Sequence, residues 1–101
     1  MTESHAIHSF ELRRHIDDLV YIFERATDVT GQSGFQRQDR PDLWITYRRD
    51  WGWVAIQPDD GGIAGRPWSV LPADQPTSCP PEGLWVSRKG NKSYVYSLVY
   101  I

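Results

Sequence analysis

The stretch from Gly83 to Ile101 constrains this chain more tightly than any other. Gly90-Asn91 is a two-residue loop with glycine first, the order that suits a type II′ hairpin turn. It separates two runs that show the two-residue alternation of strands. That loop sets the register: Lys89 opposite Lys92, Ser87 opposite Tyr94, Val86 opposite Val95 and Trp85 opposite Tyr96. Side chains alternate faces along a strand, and directly opposed residues share a face. Leu84, Val86, Val95 and Val99 therefore lie on one side, and Trp85, Tyr94, Tyr96, Leu98 and Tyr100 on the other. Neither face can be left bare to water, so the rest of the chain has to cover both.

The middle of the chain repeats the pattern. Leu43 to Arg48 and Trp53 to Gln57 read as two strands joined through Arg49-Asp50-Trp51-Gly52. With an even loop, Leu43, Ile45, Val54 and Ile56 share a face opposite Trp44, Thr46, Trp53 and Ala55; an odd loop mixes the two sets. Between the hairpins, Pro58 to Gly83 holds six of the seven prolines and four of the eight glycines. It reads as a long connection in which Trp68 to Leu71, fenced by Pro67 and Pro72, makes one short edge strand. Gly31 to Asp42 reads as a polar loop.

The N-terminal segment has a different period. Leu12, Ile16, Leu19, Val20 and Phe23 recur at helical spacing. Ser9 stands as N-cap with Glu11 in the first turn, and Thr30-Gly31 supplies a stop. These features predict a helix over Ser9 to Asp28, long enough to lie across a small sheet. The expected fold is α+β: an N-terminal amphipathic helix packed on a four- to five-stranded antiparallel sheet, with a variant in which the sheet curls into a half-barrel. All 101 residues are expected to form one domain, with residues 1–8 frayed and 58–83 a Pro/Gly-rich connection. Helix followed by strands is also the order of cystatin-like sheets, an architectural likeness that carries no function.

One helix shields one face, and the aliphatic side suits it. The aromatic side then becomes the expected binding surface: Trp44, Trp53, Trp85, Tyr94 and Tyr96, bordered by Arg48 and Arg88. The first reading is a non-catalytic interaction protein that buries this face in a homodimer or against a protein partner. The second is a small-molecule site, or a minimal enzyme, with an aromatic-walled pocket closed by the Pro-rich segment and a polar group such as Asp50, Asp59 or Arg66. The third is single-stranded nucleic acid stacked on the rings, with Lys89 and Lys92 at the rim. A net charge of −2 and a pI near 5.8 speak against it.

Other chemistry finds little support. His5, His8 and His15 lack the spacing and the additional ligands of a metal site. Glu11, His15 and Asp18 share a helical face that Arg14 can pair and water can solvate. Cys79 has no neighbouring base, and Asp59-Asp60-Gly61-Gly62 lacks the closing Glu of a calcium loop. No catalytic residue, metal or cofactor is expected. A lone cysteine, no secretory leader and no long apolar run suggest a cytoplasmic protein without membrane attachment.

Overall fold

The structure, a computed structural model, describes residues 7–101 and contains no long helix. The chain forms a closed barrel of eight antiparallel strands in simple chain order, each paired with its sequence neighbours and the last with the first. The strands are β1 (Ser9–Arg14), β2 (Val20–Thr27), β3 (Ser33–Arg37), β4 (Trp44–Arg48), β5 (Gly52–Ile56), β6 (Ile63–Pro67), β7 (Gly83–Lys89) and β8 (Lys92–Tyr100). The only helical turn among the described residues is a 3-10 turn at Pro72–Asp74. The α+β expectation is therefore overturned: the protein is all-β, and the sheet closes completely rather than curling into a half-barrel.

The predicted helix is in fact a hairpin, with Leu12 opposite Tyr21 and Phe10 opposite Phe23. Its apolar residues satisfy both periods at once, which is why the helical reading arises. Val20, Tyr21, Ile22, Phe23 and Thr27 make β2 rich in β-branched and aromatic residues, which suits a pleated strand. Ile16 and Leu19, central to the supposed stripe, fall in the turn at 77% and 43% exposure. Asp18 takes the left-handed conformation there, at φ 59°, a region that Asp tolerates better than bulkier residues.

The C-terminal hairpin has the predicted register throughout. Gly90 has a positive φ and Asn91 does not, as the type II′ reading requires. The middle hairpin has the odd alternative. Its loop is Arg49–Trp51, so Tyr47 opposes Trp53, Ile45 opposes Ala55 and Trp44 opposes Ile56. The even-loop grouping is thus corrected, with Trp44 facing out and Trp53 facing in. Two strands lie where loops were expected: β3 within Gly31 to Asp42, and β6 within Pro58 to Gly83. The edge strand expected at Trp68 to Leu71 is absent, and those residues follow β6 as irregular chain.

Closure explains what covers the aromatic face. A sheet of this size rolled into a cylinder encloses one of its own faces and leaves no open edge. Phe10, Phe35 and Trp85 are fully buried, and Trp53, Tyr96 and Leu98 are at 2% exposure. Phe10 stacks on Phe23 at 5.3 Å between ring centres and meets Phe35 at 4.9 Å; Trp53 contacts Phe35 and Tyr47 edge-on, each at 5.7 Å. Both buried indoles are satisfied, Trp85 donating to Ser87 Oγ at 3.0 Å and Trp53 to the Pro76 carbonyl at 2.7 Å.

In an up-and-down barrel alternate turns lie at opposite ends. The β2–β3 and β4–β5 turns and the long β6–β7 connection form the base, which is plugged. Gln75 at 8% exposure accepts a hydrogen bond from the Trp53 backbone N–H at 2.8 Å and donates to the Val70 carbonyl at 3.0 Å. Tyr100 donates to the Pro80 carbonyl at 2.7 Å. Arg25 donates to the carbonyls of Ile7 and Ser78 and lies 4.7 Å from the centre of the Phe35 ring. Of the N-terminal residues expected to fray, 1–6 lie outside the described part; Ile7 packs on the core, and His8 accepts from the Arg25 backbone N–H. Gln75→Leu is expected to cost about 1–3 kcal/mol, because it leaves a buried N–H without its acceptor. A lower urea midpoint, with faster proteolysis between residues 68 and 82, would be the result.

Candidate functional site

The other end is the mouth, framed by the β1–β2, β3–β4, β5–β6 and β7–β8 turns. Here the lumen is not filled. A cavity of about 120 Å³ remains, its apolar wall made by Leu12, Phe23, Leu43 and Ala55, with Tyr21 and Tyr96 beside them. Strand alternation delivers these residues. Leu12 and Tyr21 are opposed across β1 and β2, and Ala55 follows Trp53 two residues along β5. Gln57, Ser87, Arg37 and Lys89 supply the polar part of the lining. No His, Cys, Asp or Glu is among the lining residues.

Above the apolar wall is a layer of phenols and cations. Arg37 lies 3.9 Å from the centre of the Tyr21 ring and Arg14 lies 4.9 Å from that of Tyr94. Lys89 Nζ lies 5.7 Å from the Tyr21 ring and 5.9 Å from the Tyr94 ring, distances at which a cation is attracted to the ring face. Tyr21 and Tyr96 are tilted against each other at 6.1 Å.

Both guanidinium groups are held by loop carboxylates. Arg14 donates twice to Asp17, with Nε at 2.8 Å, and Arg37 donates twice to Asp39. Hydrogen bonding to Asp17 raises Arg14 above its ordinary range, and hydrogen bonding to Arg14 lowers Asp17. Asp39 is lowered likewise by its bonds from Arg37. Burial pushes the Tyr96 phenol upward, against the pull of Arg14, so it stays neutral at ordinary pH.

The residues singled out in the sequence separate in the fold. Tyr96, Trp44 and Arg88 line the cavity, the last two from outward-facing strand positions. Tyr94 stands in the aromatic and cationic layer beside Arg14 and Lys89. Trp53 and Trp85 belong to the packed core. Arg48 donates to the Gly61 carbonyl at 3.2 Å. Asp50, Asp59 and Arg66, considered as polar groups for a pocket, do not line the cavity; Arg66 lies 5.6 Å from the Trp51 ring. The closure of the aromatic face also removes the reason for a second copy to shield it, because the barrel shields it.

Sequence reasoning misses Leu12, Tyr21, Phe23, Arg37 and Leu43, since helical spacing takes the first three into a helix and the other two fall in a loop and at a strand start. Read at period two, Tyr21-Phe23-Arg25 and Phe35-Arg37 show the inward positions directly. Among the described residues no three His, Cys, Asp or Glu side chains gather as a metal site would need, and His5 lies outside those residues. The chain matches no protein-family model, no curated protein and no solved structure.

Proposed function

We propose that this barrel is a non-catalytic small-molecule-binding protein whose site is the cavity in its mouth. One observation supports this above the rest. An eight-stranded barrel encloses space that is either filled by side chains or holds one small ligand, and here the base half is filled while the mouth half is open. Pockets for small molecules are concave, mostly apolar and furnished with a few polar groups, which describes this one. For scale, an apolar cavity of about 150 Å³ takes up benzene, so about 120 Å³ suits a single ring or a short branched chain. A lining without carboxylate, imidazole or thiol favours binding over acid–base or nucleophilic chemistry.

Protein partnering through the aromatic rings is less well supported, because Trp53, Trp85 and Tyr96 are at 0–2% exposure. The outer wall carries exposed Arg13, Glu24, Arg66 and Arg88, which suits water rather than lipid. NMR titration with benzyl alcohol is the direct test. Shifts should concentrate at Leu12, Tyr21, Leu43, Ala55 and Tyr96, and Ala55→Leu, which fills the cavity, should abolish them in a protein that still melts cooperatively. Shifts scattered over the outer wall, or unaffected by Ala55→Leu, would reject the site.

A further inference from the structure

We infer that the ligand is a monoanion built on a single ring, with the ring in the cavity and its carboxylate or equivalent acid group on Lys89. This rests on the cavity being the binding site. Phenol rings gathered at a pocket mouth ordinarily suit a cation, but here Arg37 already lies over Tyr21 and Arg14 over Tyr94. A cationic ligand would find those faces occupied by like charge.

The cations around the mouth, Arg14, Arg37, Arg88 and Lys89, are not equivalent. Arg14 and Arg37 are each clamped by two hydrogen bonds to a carboxylate of an adjacent turn, Asp17 and Asp39. Their charge is compensated, and their planes are fixed against the tyrosines. Lys89 forms no ion pair among the described residues, although it lines the cavity.

A second observation points the same way. Lys89 is directly opposed to Lys92 across β7 and β8, and like charges in that relation repel. From Gly83 to Ile101 the sequence contains Arg88, Lys89 and Lys92 and no acidic residue, so the hairpin has no carboxylate of its own to relieve the repulsion. Asp59 and Asp60 stand on the β5–β6 turn, and neither lines the cavity. An anion seated at Lys89 would supply the missing charge. Of the two lining cations without an ion pair, Arg88 alternates to the outer face of β7 and donates to the Gly90 carbonyl. Lys89 is left on the lumen side to take one negative charge, and the size of the cavity fits one ring.

Isothermal titration of the full chain with benzoate, benzyl alcohol and benzylamine separates the possibilities. Benzoate is expected to bind about tenfold more tightly than benzyl alcohol, the scale of one charge-assisted hydrogen bond, and benzylamine not measurably. Added salt should weaken benzoate selectively, and Lys89→Met should bring the benzoate-to-benzyl-alcohol affinity ratio close to one. Lys89 is exposed, so this variant should fold, and the salt series needs no variant. Equal binding of benzoate and benzyl alcohol, tighter binding of benzylamine, or a ratio unmoved by Lys89→Met would overturn the monoanion while leaving the cavity as a site. Absence of binding by all three probes would overturn the cavity reading, and this inference with it.

Discussion

Trp85→Ala is expected to lower Tm by at least about 12 °C, and to leave the chain largely unfolded if its stability is at the low end for its size. Trp85 is fully buried, pairs with Pro67 on one side and Tyr96 on the other, and donates to Ser87. Removing a buried indole typically costs about 3–5 kcal/mol, counting both lost transfer energy and the cavity left behind. A cylinder cannot collapse onto that void as a loose layer can, because each strand is fixed by neighbours on both sides. Trp68→Ala provides the contrast: Trp68 is 66% exposed, and its truncation is expected to change stability by less than about 0.5 kcal/mol. Urea melts of the two variants followed by near-ultraviolet circular dichroism would decide. Similar small effects for both would mean that the aromatic face is not the core of a packed barrel.

That contrast also shows how far the sequence can be read. The C-terminal hairpin was legible because its loop admits one turn type, and the turn fixes every pair up to Trp85 opposite Tyr96. The aromatic and aliphatic faces of that hairpin were legible for the same reason. What covers the aromatic face was not, and the aliphatic face, expected to need a cover, has none: Leu84 is 41% and Val95 40% exposed on the outer wall. The residues Leu12, Ile16, Leu19 and Phe23 fit a helix, while Phe10, Leu12, Tyr21 and Phe23 fit two strands. Pairing of β1 with β8, at the far end of the chain, and of β2 with β3, itself read as a loop, decides between the two.

Locally, β2 carried the decisive cue in its Val-Tyr-Ile-Phe run, but helical periodicity outweighed it. With the helix replaced by two strands, and with β3 and β6 added, the aromatic part of the apolar sheet surface disappears into a lumen, while the aliphatic side becomes the outer wall. The candidate site was half visible. Tyr94, Tyr96 and the basic hairpin tip lay on the correctly read element, whereas Leu12, Tyr21 and Arg37 lay on elements assigned to other structures.

Gly65 shows why β6 in particular escaped notice, and its substitution has the second large expected effect. Gly and Pro in Ile63 to Pro67 read as punctuation, and on strand propensity alone Gly65→Val should stabilise by up to about 1 kcal/mol. The structure predicts the opposite sign. A side chain at residue 65 would point at Trp85 and Ser87. A Cβ there would come within 2.9 Å of both the Trp85 indole nitrogen and the Val86 carbonyl oxygen, and closer still to Ser87 Oγ. The Ser87 hydroxyl could rotate away, but the carbonyl belongs to the β7 backbone and the indole is fixed on every side. Valine adds two further methyl groups to this space, where overpacking typically costs about 1–3 kcal/mol, and it disrupts the indole hydrogen bond for about 1 kcal/mol more. Gly65→Val is therefore expected to lower the urea midpoint clearly and to perturb the Trp85 indole N–H resonance, with Gly65→Ala intermediate. Stabilisation by valine would mean that β6 does not lie against β7 at this distance, and the barrel would then be open at that seam.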